Sequence, residues 1–395
     1  KTIPLIGAPN TRVNYPLFLV AKTAQLPAFT AEMFRSELAK KPIGWIYNDP
    51  KMLEVEIKER EIFNSPGVAE EMVANIKAGS DRLMGGFSFV RKYAYKENAP
   101  DPLATKRGSM DVLTTTYLAY LGWAKENQPE ALKHENIVKV LPAQAAEIDA
   151  PSIWNQKGRG ASHWDAATGS PIHRNIGAAA ATLIKPVDIE NVYKVTAFTE
   201  NLPSNPYPFD VDMTSARRGE KLFQNNCLSC HSAQNQVFDA VSAGTDINRW
   251  NHFTPVAAKF LGGLYVGLCN DAKFCKKEDG SVFTADELST KTVGYVGGRL
   301  DGIWARAPYL HNGSVPTLFA LLTNKRPAKF YRGALSYDKT KVGFTWNKNL
   351  NGTVVYDTTL DGNSNRGHDT PEYMGLDWAN RPNELKDILE YMKTL

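Results

Sequence analysis

The spacing of apolar residues predicts a chain built mostly of helices. The clearest case is the C-terminal end, where a helix is predicted from Asn383, as its cap, to Leu395. Its apolar positions recur at i, i+3, i+4 and i+7, the spacing of one helix face. They are Leu385, Ile388, Leu389 and Met392. This stripe predicts that one face of the last helix is buried.

A second well-marked helix is predicted over residues 212–224, with Thr214 or Ser215 as its N-cap, and it leads directly into Cys227. Gly219 lies within it and presents no side chain, so another helix can approach closely there. Further helices are predicted over 52–63, 68–76, 112–126, 176–183 and 190–200, and strand signals are few. The predicted fold class is therefore mostly α.

Three prolines within residues 202–208 rule out a helix and predict an extended linker. A boundary at this linker divides the chain into an N-terminal, mainly helical domain, residues 1–205, and a second domain, residues 210–395. Two domains are also what 395 residues predict.

The composition and net charge limit the kinds of partner that the protein can bind. A formal net charge of +4 and a pI near 8.6, without a dense run of Lys and Arg, argue against nucleic acid and are compatible with an acidic redox partner protein. No apolar stretch is long enough for a transmembrane helix. The first residues do not form a signal peptide, so an exported protein would have lost its signal already.

The chemistry lies in Cys227-Leu-Ser-Cys230-His231. Cys-x-x-Cys-His is the attachment signature of haem c: the two thiols bind the vinyl groups of one porphyrin edge, and the histidine becomes an axial iron ligand. A redox Cys-x-x-Cys pair would need a βαβ context, which the sequence lacks. Half of a zinc site is the other alternative. The sequence thus predicts one covalent haem c, held in a c-type cytochrome domain that covers residues 210–395 and has long loop insertions. Because haem c is matured outside the cytoplasm, it also predicts an extracytoplasmic location, which in bacteria is the periplasm.

The other two cysteines, Cys269 and Cys275, flank a short polar turn. In an oxidising compartment a local disulfide is the simpler prediction. A metal-binding pair is the alternative, although no His or acidic cluster nearby completes a site.

The sixth iron ligand decides the chemistry, because a strong second ligand makes an electron carrier and an open position permits oxygen or peroxide chemistry. In c-type domains this ligand arrives on the loop before the last helix, which favours His368. His311 and Met374 remain alternatives. His252, only 21 residues after His231, is better explained as a packed or surface histidine.

Residues Arg299–Leu318 resemble the signature of the bacterial di-haem cytochrome c peroxidase superfamily, and most of all its branch of rubber oxygenases and fatty-acid di-haem dioxygenases. Further likenesses lie at 151–155, 163–165, 170–177, 337–344, 362–369 and 391–395. The resemblance covers about 150–395.

The resemblance implies that His231 and His368 ligate the second haem of that branch. It also implies that His311, Arg299, Trp304 and Arg306 lie around that haem, the arginines being suited to its propionates. The first haem motif of those relatives has no counterpart here, since no cysteine precedes Cys227. A non-covalent haem in the first half would have to use His163, His173 or His134.

These observations together predict a mono-haem cytochrome with bis-histidine ligation that transfers electrons. Two alternatives stay open. One is a haem-dependent oxidoreductase of the peroxidase or dioxygenase type, and the other is a haem subunit of a larger redox complex.

Overall fold

Helices dominate the part of the chain that the computed structural model describes, and strands occur there only as three short antiparallel pairs. The described residues are 30–43, 53–78, 81, 146–149, 151–181, 188–232, 236–269, 276–277, 279–370, 373 and 375–395. Among these residues, no helix has the length and apolar character needed to cross a membrane.

The helices are α1 (Ala31–Ala39), α2 (Leu53–Asn64), α3 (Pro171–Ala181), α4 (Ile189–Glu200), α5 (Met213–Asn226), α6 (Asn248–His252), α7 (Pro255–Cys269), α8 (Ala285–Leu288), α9 (Leu318–Thr323) and α10 (Pro382–Met392). Residues 68–78 are also helical, and 3₁₀ turns cover Ile303–Ala305 and Trp378–Asn380. The strand pairs are β1 (Gln236–Asp239) with β2 (Gly294–Gly297), β3 (Lys329–Arg332) with β6 (Val354–Asp357), and β4 (Tyr337–Asp338) with β5 (Gly343–Phe344).

The predicted helices at 52–63, 68–76 and 190–200 are confirmed to within two residues, and the one predicted at 176–183 begins earlier, at Pro171. The helix predicted at 112–126 lies outside the described residues. Two predicted caps are wrong. Asp212, not Thr214 or Ser215, caps α5, since its side chain accepts a 3.0 Å hydrogen bond from the Ser215 N–H.

The predicted cap of the last helix also differs. Helix α10 begins at Pro382 and follows Arg381, so Asn383 lies inside the first turn. Proline is favoured at this first position because it has no N–H that would need a partner there. The helix ends at Met392 rather than at Leu395.

Helices α5 and α10 pack directly on each other. An ideal Cβ added to Gly219 would lie 2.0 Å from the backbone oxygen of Asp387 and 2.8 Å from the Tyr391 Cβ. The predicted close approach at Gly219 is therefore confirmed. On α10, the stripe of Leu385, Ile388, Leu389 and Met392 is buried, as its spacing predicts.

The main core gathers around this helix pair. It includes Phe223 from α5, the α10 stripe, Leu318 from α9, and Trp304 and Trp378 from the two 3₁₀ turns. Trp154, from the first half of the chain, belongs to the same core. Burial of these large apolar surfaces is the main force that holds the haem-motif helix against the last helix.

The segment at 202–208 is neither helix nor strand, so the predicted absence of a helix is confirmed, and Leu202 and Tyr207 pack on the core. Asn205 accepts a 3.2 Å hydrogen bond from the Trp304 indole, and the Ser204 hydroxyl donates to the Leu395 carbonyl at 3.0 Å. Residues before this segment also contact residues after it, since the Val296 N–H donates to the Trp164 carbonyl at 2.9 Å. The division into domains 1–205 and 210–395 stays a prediction.

Candidate haem site

The haem motif begins where α5 ends. The Cys227 N–H bonds the Phe223 carbonyl at 2.8 Å and caps the helix. The N–H groups of Cys230 and His231 then bond back to the Cys227 carbonyl, at 3.1 and 2.9 Å. This tight turn places both thiols and the imidazole along one cavity.

The His231 imidazole is oriented by one backbone group. Its Nδ1 lies 2.7 Å from the carbonyl oxygen of Gly298, just after β2. Because a carbonyl oxygen can only accept, Nδ1 carries the proton and Nε2 keeps its lone pair free for a metal. Burial lowers the pKa of His231, which favours the neutral imidazole that ligates.

His368 is held on an irregular loop by hydrogen bonds to the backbone around it. The Arg326 guanidinium donates to the carbonyls of Asn365 and His368, the latter at 3.1 Å. The Asn312 side chain donates to the carbonyls of Gly362 and Ser364, at 3.2 and 3.0 Å. His368 has a left-handed φ of 55°, a backbone strain that these contacts offset.

The rings of His231 and His368 lie close together in near-parallel planes. Their centroids are 6.0 Å apart and their planes are inclined by only 16°. A bond between a metal and an imidazole nitrogen is about 2 Å long. Two such bonds, plus the distance from the nitrogen to the centre of each ring, account for the separation of the two ring centroids. Burial, together with the charges of the neighbouring His231 and Arg326, lowers the pKa of His368 to about 4.

The cavity between these rings suits a haem in chemistry as well as in geometry. Its volume is about 250 Å³. Apolar side chains dominate its walls, among them Phe238, Leu300, Ile303, Leu318, Leu321, Leu322 and Met392. Cys227 and Cys230 lie at one side of it, and burial together with the neighbouring Cys230 raises the pKa of the Cys227 thiol to about 12. The residues present therefore fit a haem c held by both thiols and both histidines.

His311 also lines the cavity, but it is the His368 ring that lies parallel to His231. The His311 ring stacks on Tyr295, with centroids 4.6 Å apart, and its Nδ1 lies 3.4 Å from the Thr245 hydroxyl. Its buried Nε2 has no hydrogen-bond partner among the described residues. Burial lowers its pKa to about 3, so His311 is a neutral, polar group in the cavity wall.

The three further residues that were expected around the haem lie in different places in the structure. Arg306 lines the cavity, as expected. Trp304 is not among the lining residues: it is fully buried in the core against Tyr207 and Tyr337, and its place near the haem stays a prediction. Arg299 also lies outside the cavity lining, because its guanidinium pairs with Asp301 at 2.8 Å in a neighbouring pocket.

The remaining histidines and cysteines of the sequence analysis lie elsewhere. His252 is buried in α6, His163 lines the neighbouring pocket, and His173 packs edge-on against Phe283; none of them lines the cavity. Met374, His134 and Cys275 lie outside the described residues, so the disulfide with Cys269 stays a prediction.

Sequence reasoning missed the residues that orient the ligands. Gly298, Asn312 and Arg326 act through hydrogen bonds over long sequence separations, and no local pattern marks them. The Gly297-Gly298 pair at the end of β2 was the one available signal, since paired glycines often mark a close approach of backbone. A Cβ on Gly297 would lie 2.6 Å from the Cys230 carbonyl oxygen, which confirms such an approach.

Residues 294–332 match the RoxA-like, cytochrome c-like family. This segment includes Gly298, Arg306 and His311 of the site but neither the Cys-x-x-Cys-His motif nor His368. The match supports the resemblance to rubber oxygenases and implies that the chain binds haem c.

Two curated relatives come from Sinorhizobium fredii. The uncharacterized protein y4iM is 37% identical over 285 residues, which cover 64% of this chain and 66% of that protein. The uncharacterized protein y4iJ is 46% identical over 101 residues, which cover 24% of this chain and 17% of that protein. The chain thus spans just under two thirds of the first relative and about a sixth of the second.

Proposed function

We propose that this protein is an extracytoplasmic, mono-haem c-type cytochrome that transfers electrons. Cys227 and Cys230 attach the haem, and His231 and His368 are its axial ligands. The observation that carries the proposal is the pair of half-buried, near-parallel imidazoles 6.0 Å apart beside two cysteines. Both imidazoles and both cysteines line one largely apolar cavity.

The groups around His231 and His368 hold both imidazoles ready to ligate an iron rather than to act on a substrate. The Gly298 carbonyl fixes the proton of His231 on Nδ1, and burial keeps both imidazoles neutral. Arg326 and Asn312 hold the His368 loop in place. When bound, the haem supplies a centre that gains and loses one electron, and two strong ligands leave it no vacant position.

A redox partner protein is part of this proposal. Leu228, between the two cysteines, is 43% exposed, so the attachment edge of the cavity reaches the surface. Electron exchange with a docked protein needs such an exposed edge. The mildly basic net charge favours an acidic partner.

The test is haem content and ligation in the protein purified from a host that matures haem c. We expect the pyridine haemochrome and the intact mass to give one covalent haem, with a low-spin spectrum indifferent to CO. His368→Ala should bind CO, whereas His173→Ala, which truncates a buried histidine outside the cavity, should not. A His368→Ala spectrum identical to that of the unchanged protein would refute the assignment of this ligand.

The match to the RoxA-like family favours one second candidate, a haem-dependent oxidoreductase of the peroxidase or dioxygenase type. It requires an open coordination position, and the unpartnered Nε2 of His311 would be a polar group beside it. A high-spin ferric spectrum that shifts with cyanide in the unchanged protein would favour this candidate over electron transfer.

A further inference from the structure

A small second pocket, which we call the arginine pocket, adjoins the haem cavity. Four arginines line it: Arg159, Arg174, Arg299 and Arg306. Its volume is about 40 Å³, the size of a single small polar group rather than of a whole ligand. The two halves of the chain build it together, since Arg159 and Arg174 precede the 202–208 segment and the other two follow it.

The positive charges of this pocket exceed the negative ones. Among the described residues, Asp301 is the one carboxylate that pairs with any of the four arginines, at 3.2 Å from Arg159 and 2.8 Å from Arg299. Arg174 donates to the amide oxygens of Gln156 and Asn175, at 2.6 and 2.7 Å. Arg306 donates to the Arg299 carbonyl at 3.1 Å. Two of the four guanidinium groups therefore contact the one carboxylate of Asp301, and the charge of Asp149 acts on Arg306 as well.

Such an excess is costly where water is scarce. Arg159 is only 8% exposed, and its pKa falls to about 10, first through burial and then through the charges of Arg306, Arg299 and Arg174. Buried charges are stable when they are paired, and a guanidinium pairs best with a planar, bidentate carboxylate. The pocket thus has the positive charge and the planar guanidinium donors that would bind one more carboxylate.

Hydrogen bonds fix the loop that carries Arg159. Its backbone is left-handed at Gly158 (70°) and Gly160 (68°), where glycine adopts it freely, and at Asn155 (45°) and His163 (69°), where it is strained. The Asn155 amide donates to Asp301 at 2.9 Å, and Arg159 donates to the Trp154 carbonyl. The loop thereby places the Arg159 guanidinium 3.2 Å from Asp301, which also pairs with Arg299.

The pocket connects with the haem cavity through shared walls. Arg306, Trp164, Val296 and Gly298 line both. A carboxylate that enters from the haem side would meet Arg306 first. A free acid could reach the same arginines without the haem.

We propose that the arginine pocket binds a carboxylate group, supplied by a haem propionate or by a small free carboxylic acid. The propionate source rests on the proposed function, whereas the free-acid source does not. In either case, Arg159 and Arg174 connect the first half of the chain electrostatically to the haem domain.

The test compares Arg174→Gln and Arg306→Gln with Arg381→Gln, which removes a half-exposed arginine that directly precedes α10. Redox titration of the purified holoprotein forms one arm, and calorimetric titration with acetate forms the other. Arg306→Lys, which keeps the charge, shows whether an effect of Arg306→Gln is electrostatic. Circular dichroism verifies that each variant folds.

For a propionate source we expect both pocket variants to have a more negative midpoint potential than Arg381→Gln. The lost positive charge favours ferric iron, Arg306→Lys should recover most of the shift, and acetate should not bind. For a free-acid source, acetate should bind to the unchanged protein and to Arg381→Gln but not to Arg174→Gln. If the purified protein lacks haem but binds acetate, the proposed function is refuted, while the proposal that the arginine pocket binds a carboxylate still holds. Potentials equal to that of Arg381→Gln, without acetate binding, would overturn the pocket.

Discussion

The crossing of α5 and α10 at Gly219 fixes where the haem motif lies, so we expect Gly219→Ala to destabilise the protein. The added Cβ would lie 2.0 Å from the Asp387 backbone oxygen, whereas ordinary contact begins near 3.4 Å. The shortfall is 1.4 Å (3.4 minus 2.0) against backbone, which cannot rotate away. Overpacking of this kind costs about 1–3 kcal/mol. The gain in helix propensity returns only about 1 kcal/mol.

The matched control is Gly263→Ala in α7. A Cβ at Gly263 meets nothing within 4 Å, so this variant receives the propensity gain alone and should be more stable by about 1 kcal/mol. The two glycine-to-alanine changes are chemically identical and should differ in sign. Since the propensity gain is common to both variants, their difference in unfolding free energy should equal the overpacking cost, about 1–3 kcal/mol.

Urea unfolding of the holoprotein, followed by circular dichroism, measures both variants on one scale. We expect the midpoint of Gly219→Ala to fall and that of Gly263→Ala to rise, with little change in slope. Since α5 ends at Cys227, the Gly219 variant should also mature with less covalent haem. Equal stability of the two variants would refute the reasoning, because it would mean that the helices do not approach as closely as the structure indicates.

Three other predictions concern buried charge and position. Burial lowers the pKa of His311 from about 6.5 in the unfolded chain to about 3 in the folded protein, so between these pH values only the unfolded chain binds the proton. The stability therefore falls as the pH falls, by about 2 kcal/mol between pH 7 and pH 5. His311→Leu should remove that part of the pH dependence in urea unfolding, and unchanged slopes would contradict it. Asp165→Asn should cost about 3–5 kcal/mol, since it leaves the buried Arg249 without its carboxylate at 3.1 Å; a loss below about 1 kcal/mol would show that the pair is not buried as described. Arg326→Gln should loosen the His368 loop and give a fraction of CO-binding haem, which optical titration would detect; a spectrum indifferent to CO would mean that the loop holds without it.

Much of the helical fold could be predicted from sequence because amphipathic spacing is local. The α10 stripe and the α5 helix before Cys227 needed only neighbouring residues to be recognised. The caps were less predictable. Asp212 and Thr214 can both cap a helix, and the choice between them depends on where the chain enters from the preceding extended segment.

The candidate site divides in the same way. Cys227, Cys230 and His231 are recognisable because their spacing is itself the chemistry. His368 needed position along the chain, and the structure adds the ring that faces it. For Trp304 the matching signature suggested a place near the haem, and the structure adds that its indole donates to the Asn205 carbonyl and lies in the core.

The haem motif, the helix that presents it and the apolar face of the last helix could be predicted from the sequence, because each depends on residues within about two helical turns of one another. The tertiary structure adds the near-parallel ring of His368 beside His231, the carbonyl that orients His231, and the meeting of four arginines from distant segments around one pocket. These arrangements join residues separated by up to 147 positions, as from Arg159 to Arg306 (306 minus 159). Contacts of that range follow from how the whole chain buries its apolar surface, and no local pattern encodes them.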